Sequence, residues 1–264
     1  MQTHAAAPTP ALYVEDVSAG YPDDRRAISG IQFEVQRGER VAVLGPNGAG
    51  KSTLFKAIAG VIPFTSGQVS LMGRDCRSSH DLIGYVPQVN LVDWSFPATV
   101  GDVVMMGRAR RIGWLRWPGR DDRDAVRHAL DQVGMLKHID RRIGALSGGQ
   151  KQRVFIARAL AQAADVLLLD EPFNGVDVTT IEEILATLDR LREDGVTVLV
   201  ATHDIELALS EFDKLLLLKR TVIAYGTPVE VYTPEHLKAA YGSRVSIMHA
   251  DDHMLITVDD HGCC

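Results

Sequence analysis

Cysteine is scarce in this chain. Cys76 stands alone and Cys263 and Cys264 are adjacent near the end, which gives no disulfide framework and fits a reducing compartment. Long apolar runs are missing too. None approaches the roughly 20 residues a membrane-spanning helix needs, and the first residues lack the charged start and apolar core of a signal peptide. The expectation is a chain that stays in the cytoplasm. Positive charge is in deficit, with 28 Lys and Arg against 34 Asp and Glu and a net charge of −6, which argues against a general nucleic-acid binder. A local basic patch exists nonetheless at Arg108, Arg110, Arg111, Arg116 and Arg120. There is no internal repeat and no extended low-complexity tract. At 264 residues and 46% hydrophobic, the chain suits one large globular domain, or a domain with a smaller lobe. Residues 1–10, with two prolines and an alanine run, read as a disordered lead-in.

What is present is a phosphate loop. Gly45-Pro46-Asn47-Gly48-Ala49-Gly50-Lys51-Ser52-Thr53 fits G-x-x-x-x-G-K-[ST], after the apolar run Val41 to Leu44 and before a helical pattern from Ser52 to Ala59. Gly45, Gly48 and Gly50 let several backbone N–H groups converge on one anion, and the helix start adds its positive dipole end. Lys51 would reach the outer phosphates and the Ser52 hydroxyl would take one position on Mg²⁺. A plain turn needs neither the lysine nor the hydroxyl.

Around this loop the chain alternates strands and helices. Val41 to Leu44, Val166 to Leu169 and Val196 to Ala201 are short continuous apolar runs, the pattern of central strands covered on both faces. Ser52 to Ala59, Gly149 to Gln162 and Thr179 to Glu193 read as helices, so the fold class is α/β with a mostly parallel sheet. Ala11 to Val17 and Ile31 to Val35 read as an antiparallel edge, and Leu215 to Leu218 with Thr221 to Ala224 as a closing hairpin. Helical spacing at Val100 to Arg108 and Asp121 to Val133 predicts an inserted helical subdomain over residues 89–148. The core spans residues 11–230, and 231–264 form a short helix and a strand-bearing tail.

Two further motifs carry chemistry. Val166 to Leu169 ends in Asp170 and Glu171; the first can orient Mg²⁺ and the second can polarise a water for in-line attack on a γ-phosphorus. Ser147-Gly148-Gly149-Gln150 forms an S-x-x-Q capping box for the following helix. A cap does not need two glycines after the serine, whereas close approach of a helix start to an anion does.

With Leu146-Ser147-Gly148-Gly149-Gln150 between the phosphate loop and the Asp170-Glu171 pair, the chain resembles the ATP-binding-cassette ATPases over about residues 11 to 230. The resemblance implies a P-loop ATPase using ATP and Mg²⁺. It places Tyr21 on the adenine, Gln88 on Mg²⁺ and the attacking water, and His203 on the γ-phosphate. Asn174-Gly175-Val176-Asp177 occupies the position of the family's D-loop, where Ser-Ala-Leu-Asp is commoner; Asp177 is retained. The resemblance further implies that Ser147 to Gln150 cap the ATP of a second copy of the chain, in a head-to-tail dimer of C₂ symmetry.

Asp93-Trp94-Ser95-Phe96-Pro97 after Gln88 is similar to a segment of the cassettes that energise manganese, iron and zinc importers. That implies a peripheral subunit on the cytoplasmic membrane face, a membrane permease contacted through Trp94 to Arg108, and a separate extracytoplasmic binding protein. Trp94 and Phe96 read as a groove for the permease. Met105 and Met106 suit either that groove or the lobe's own core. An importer of another solute such as a siderophore, or a soluble cassette ATPase acting on nucleic acid or ribosomes, is the alternative. Residues His249, Asp251, Asp252, His253, Asp259, Asp260, His261, Cys263 and Cys264 include transition-metal ligands and make a candidate regulatory metal site. No pair has the spacing of a recognised site, and the plainer reading is a loosely ordered acidic tail.

Overall fold

The computed structural model describes residues 9–88, 94, 96–113, 115–242, 245–250 and 253–258, the last two segments as backbone. The candidate tail ligands other than His249 and His253, and residues 1–8 and 89–93, lie outside the described residues.

Six strands form the larger sheet, in the order β10 (Thr221–Gly226), β9 (Lys214–Lys219), β3 (Arg40–Leu44), β8 (Thr197–Ala201), β7 (Val166–Asp170) and β6 (Ile83–Val86). All neighbours are parallel except the β9–β10 hairpin. Successive side chains serve opposite faces: Val41, Val43, Leu168 and Leu216 pack on one side, and Ala42, Leu44, Leu167 and Leu217 on the other. Both faces are therefore dry, which is why these strands read as continuous apolar runs rather than alternating ones.

One face is covered by α1 (Lys51–Ile58) and by a second, antiparallel sheet in the order β2 (Asp24–Val35), β1 (Leu12–Tyr21), β4 (Phe64–Leu71), β5 (Arg74–Asp75). The antiparallel strands thus make a sheet of their own. β1 and β2 run further than the apolar pattern shows, to a turn of only Pro22 and Asp23, because register shifts between Val14 and Tyr21 interrupt the alternation. β4 gives little signal because Thr65 to Gln68 are exposed and only Val69 and Leu71 are buried.

The other face carries α5 (Gly148–Ala161), α6 (Val178–Glu193), and α2 (Val100–Met105) and α4 (Arg120–Gln132), which share one apolar cluster with the sheet. α3 (Ala109–Ile112) lies in the connection between α2 and α4, while α7 (Ile205–Glu211), α8 (Pro228–Val231) and α9 (Pro234–Tyr241) complete the helices. The tail backbone forms a hairpin of β11 (Val245–Ala250) and β12 (His253–Val258). No helix among the described residues is long and apolar enough to cross a membrane.

The structure refines two sequence expectations. Trp94 is partly buried: its ring stands edge-on to Phe155 of α5 with centroids 5.3 Å apart, and Lys151 Nζ sits 4.8 Å from its centroid. Phe96 remains 62% exposed, Met106 is half exposed, and Met105 packs partly against the core. Arg108 leaves the basic patch. It is buried, with Nε donating to Asp122 Oδ1 at 3.0 Å and Nη1 to the Ala161 carbonyl at 3.1 Å.

Candidate active site

The site forms where β3, β7 and β8 reach their carboxyl ends, the usual ligand edge of an open α/β sheet. After β3 the chain turns through Gly45 (φ +154°), where a Cβ would lie 2.2 Å from the Leu218 carbonyl oxygen. At Gly50 (φ +102°) a Cβ would meet Ile28 Cγ2 at 2.4 Å. Only glycine fits either position. The loop is pinned from behind by Arg220 N–H donating to the Ala49 carbonyl at 2.8 Å. α1 starts at Lys51, so its first backbone N–H groups lack intrahelical partners and face the loop with the dipole's positive end.

Lys51 is buried. Its Nζ donates to the Gly45 carbonyl at 2.6 Å and lies 3.7 Å from Glu171 Oε1, so the ammonium spans the mouth of the loop. The Ser52 hydroxyl donates to Asp170 Oδ1 at 3.0 Å and the Tyr85 hydroxyl to Asp170 Oδ2 at 3.2 Å. Burial pushes the Asp170 carboxyl above its ordinary range, opposed by those two hydrogen bonds. Burial first, and the Asp170 charge second, raise the Tyr85 phenol far above its usual value, so it acts as a donor. The oxygen-only set of Ser52 and Asp170, anchored by Tyr85, suits a hard divalent cation such as Mg²⁺.

Glu171 follows at φ +51°, a left-handed backbone rarely adopted by a residue with a side chain, and its N–H donates to the Ala201 carbonyl at 3.0 Å. That geometry turns its carboxylate toward His203, whose Nδ1 lies 2.9 Å from Oε2. Tyr21, the loop from Asn47 to Thr53, Gln88, Glu171, Asn174 and His203 wall one cleft of about 630 Å³. The cleft therefore unites ten of the candidate residues, among them the predicted catalytic three. Tyr21 is partly exposed at its rim, with Lys56 Nζ 5.8 Å from the ring centroid.

Ser147, Gly149, Gln150 and Asp177 do not line that cleft. Ser147 and Gln150 form the expected reciprocal cap, at 3.3 Å and 3.2 Å, and Ser147 and Gly148 are exposed. The two glycines differ. A Cβ on Gly148 would meet nothing within 4 Å, but one on Gly149 would lie 2.2 Å from Thr180 Cγ2, so Gly149 is required by packing of α5 on α6. Gly149 thus has a packing role besides the one read from the sequence, and Gly148 has none. Asp177 caps α6, accepting from Thr180 N–H at 2.9 Å and its hydroxyl at 3.1 Å, and the Thr180 N–H holds its carboxyl below the usual range.

The family model described as ABC transporter matches residues 28–174, more than half of the chain. The chain belongs to the ABC transporter family. It is an ATP-binding, ATP-hydrolysing subunit of a transport system. It is 44% identical to the manganese transport system ATP-binding protein MntB of Halalkalibacterium halodurans, over 94% of this chain and 99% of that one. To the zinc transport system ATP-binding protein TroB of Treponema pallidum it is 44% identical, over 89% and 88%. The structure of cbiO1 from Clostridium perfringens, part of the ABC transporter complex cbiONQ, superposes with a TM-score of 0.73 at 32% identity, covering 88% and 94%.

In this ABC ATPase, sequence reasoning missed Tyr85 as a site residue. The available signal was a hydroxyl-bearing aromatic at the end of a short strand three positions before Gln88. Asn174 was read only as part of the D-loop, yet it walls the nucleotide cleft. Among the described residues no cluster of three or more His, Cys, Asp or Glu is placed to hold a metal.

Proposed function

We propose that this ABC ATPase energises a membrane importer for divalent metal ions, manganese, zinc or iron. The observation that carries the proposal is identity of 44% along nearly the whole chain to ATP-binding proteins named for manganese and zinc transport. The site chemistry supports ATP hydrolysis as the driving reaction. Triphosphate displaces the Lys51 ammonium from the Gly45 carbonyl and takes its charge, while the backbone N–H groups at the start of α1 bind the β-phosphate. Release of Lys51 from Glu171 leaves that carboxylate free to accept a proton from water attacking the γ-phosphorus in line. His203, hydrogen-bonded to Glu171, orients it and contacts the γ-phosphate; Gln88 positions the water. Tyr21 stacks on adenine. Ser52, Asp170 and Gln88 would hold Mg²⁺, which when bound neutralises charge on the phosphates.

Ser147 to Gln150 stand outside the chain's own nucleotide cleft and are exposed at their start, which supports their serving the ATP of a second copy, with Asp177 near the contact. Closure of that dimer pulls on a permease seated near Phe96 and Met106, at the cytoplasmic membrane face, and an extracytoplasmic protein delivers the ion. The decisive experiment is uptake of radiolabelled Mn²⁺, Zn²⁺ and Fe²⁺ by a deletion strain carrying the parent gene or Glu171→Gln. Uptake of one ion should return only with the parent. Unchanged uptake of all three in the deletion strain would overturn the metal assignment.

A further inference from the structure

The stretch from Gly107 to Arg120 holds no acidic residue in a chain whose net charge is −6. With Arg108 withdrawn into its buried pair, Arg110, Arg111, Arg116 and Arg120 remain, all exposed. Arg110, Arg111 and Arg116 make no ion pair among the described residues. Arg120 only approaches Asp124 at 3.7 Å in a pair open to solvent. Between them stand two large apolar side chains with almost no cover, Leu115 at 98% and Trp117 at 93% exposure. Keeping such side chains in water is unfavourable, and nothing among the described residues covers them.

We propose that Arg110, Arg111, Leu115, Arg116, Trp117 and Arg120, on α3 and ahead of the body of α4, make a contact for anionic phospholipid headgroups at the bilayer surface. Arginines interleaved with Trp and Leu form the composition that settles at a headgroup layer: the rings and alkyl groups enter the boundary while the guanidinium groups meet phosphates. The projecting side chains suit a soft, deformable partner better than a complementary protein groove. The position is continuous with the face the proposed function turns to the permease. Met105 borders both a shallow groove shared with Met106 and Ile112 and the cleft walled by Trp117. The inference rests on that reading for orientation only. Because the rest of the chain carries excess negative charge and is repelled by the same surface, the patch also orients the subunit, placing the inserted helices toward the membrane.

The test is co-sedimentation of the purified full chain with vesicles of equimolar phosphatidylcholine and phosphatidylglycerol, and with vesicles of phosphatidylcholine alone. Binding should appear with the anionic vesicles and fall steeply with salt, since exposed charges are screened within about 8 Å at physiological ionic strength. Each arginine is worth roughly fivefold in partitioning, so Arg110→Gln/Arg111→Gln/Arg116→Gln should bind on the order of a hundredfold more weakly. Leu115→Ser/Trp117→Ser should weaken binding even at high salt. All five positions are exposed, so the melting temperature and basal ATPase rate of both variants should match the parent. Equal affinity for both vesicle types, or a triple variant that binds like the parent, overturns the proposal. So does a parent that ignores vesicles while the triple variant fails to copurify with the permease, because the occupant is then protein. Vesicle binding is read on the isolated chain and metal uptake in cells, so the two proposals fail separately.

Discussion

His203 Nδ1 lies 2.9 Å from Glu171 Oε2, and Lys51 Nζ lies 3.7 Å from Oε1 of the same carboxylate. One carboxylate thus joins the phosphate loop to the end of β8, and its left-handed backbone holds it there. Both partners compete for the negative charge, and arrival of a triphosphate relieves the competition by drawing Lys51 away. Replacing Glu171 with Gln keeps the shape and removes the proton acceptor. Phosphate release should fall by about 10²–10⁴-fold, while binding of a fluorescent ATP analogue stays within a few-fold of the parent. Hydrolysis at the parent rate would remove Glu171 from the role of base.

Tyr85 bears on the cation rather than on the water. Among the described residues its hydroxyl is one of two side-chain donors to Asp170, and the other, from Ser52, is the one a bound Mg²⁺ would replace in the proposed site. Tyr85→Phe leaves Oδ2 without its donor and lets the carboxylate rotate. The Mg²⁺ concentration for half-maximal ATPase should rise about 10–100-fold, the range of a lost hydrogen bond to a metal-holding carboxylate, with nucleotide affinity in excess EDTA unchanged. A Mg²⁺ profile that superposes on the parent's would show that Ser52 alone positions Asp170.

Elements buried on two faces were legible in the sequence, because their apolar runs have one explanation. Val41 to Leu44 and Val166 to Leu169 are central strands, and Gly45 to Thr53 the loop between strand and helix. The unseen elements have mixed surfaces. β4 exposes Thr65 to Gln68, α7 buries only Ala208, and the short β6 hides its pairing with β7 until the sheet is assembled. Motif order brought the nucleotide residues together on paper, but pairings between motifs were not visible. Nothing local says that Tyr85 reaches Asp170 or that Gly149 lies under Thr180, since both depend on how distant elements pack. Nor does anything local say that Trp94 packs edge-on against Phe155 of α5.

The two signature glycines can be separated by substitution. Gly149→Ala forces a Cβ to 2.2 Å from Thr180 Cγ2, so α5 and α6 must part, at a cost of about 1–3 kcal/mol. The thermal midpoint should drop by several degrees, and Thr180→Ala in the same chain should restore part of it. Gly148→Ala meets nothing within 4 Å and should leave the folding stability within about 0.5 kcal/mol of the parent. If Gly148→Ala nevertheless abolishes ATPase activity and ATP-dependent dimerisation, that loss belongs to the second copy's nucleotide. Full activity in Gly148→Ala would count against the shared-site reading.

Asp170 should trade stability for function in a pH-dependent way. Burial raises its folded-state pKa above the ordinary 3.8, so the protonated form is the one the fold prefers. Its contribution to stability is therefore full below the unfolded value and is lost as pH rises through the folded one. Ionising this buried carboxylate in the free protein is therefore costly. Asp170→Asn removes that charge. In buffer free of Mg²⁺ and nucleotide the variant should melt above the parent at pH 7, and the gap should close as pH falls toward about 4. Mg²⁺ with ATP should then raise the midpoint of the parent far more than that of the variant, which should be inactive. A gap that does not change between pH 7 and pH 4 would mean that packing of the amide, not relief of the buried charge, sets the difference.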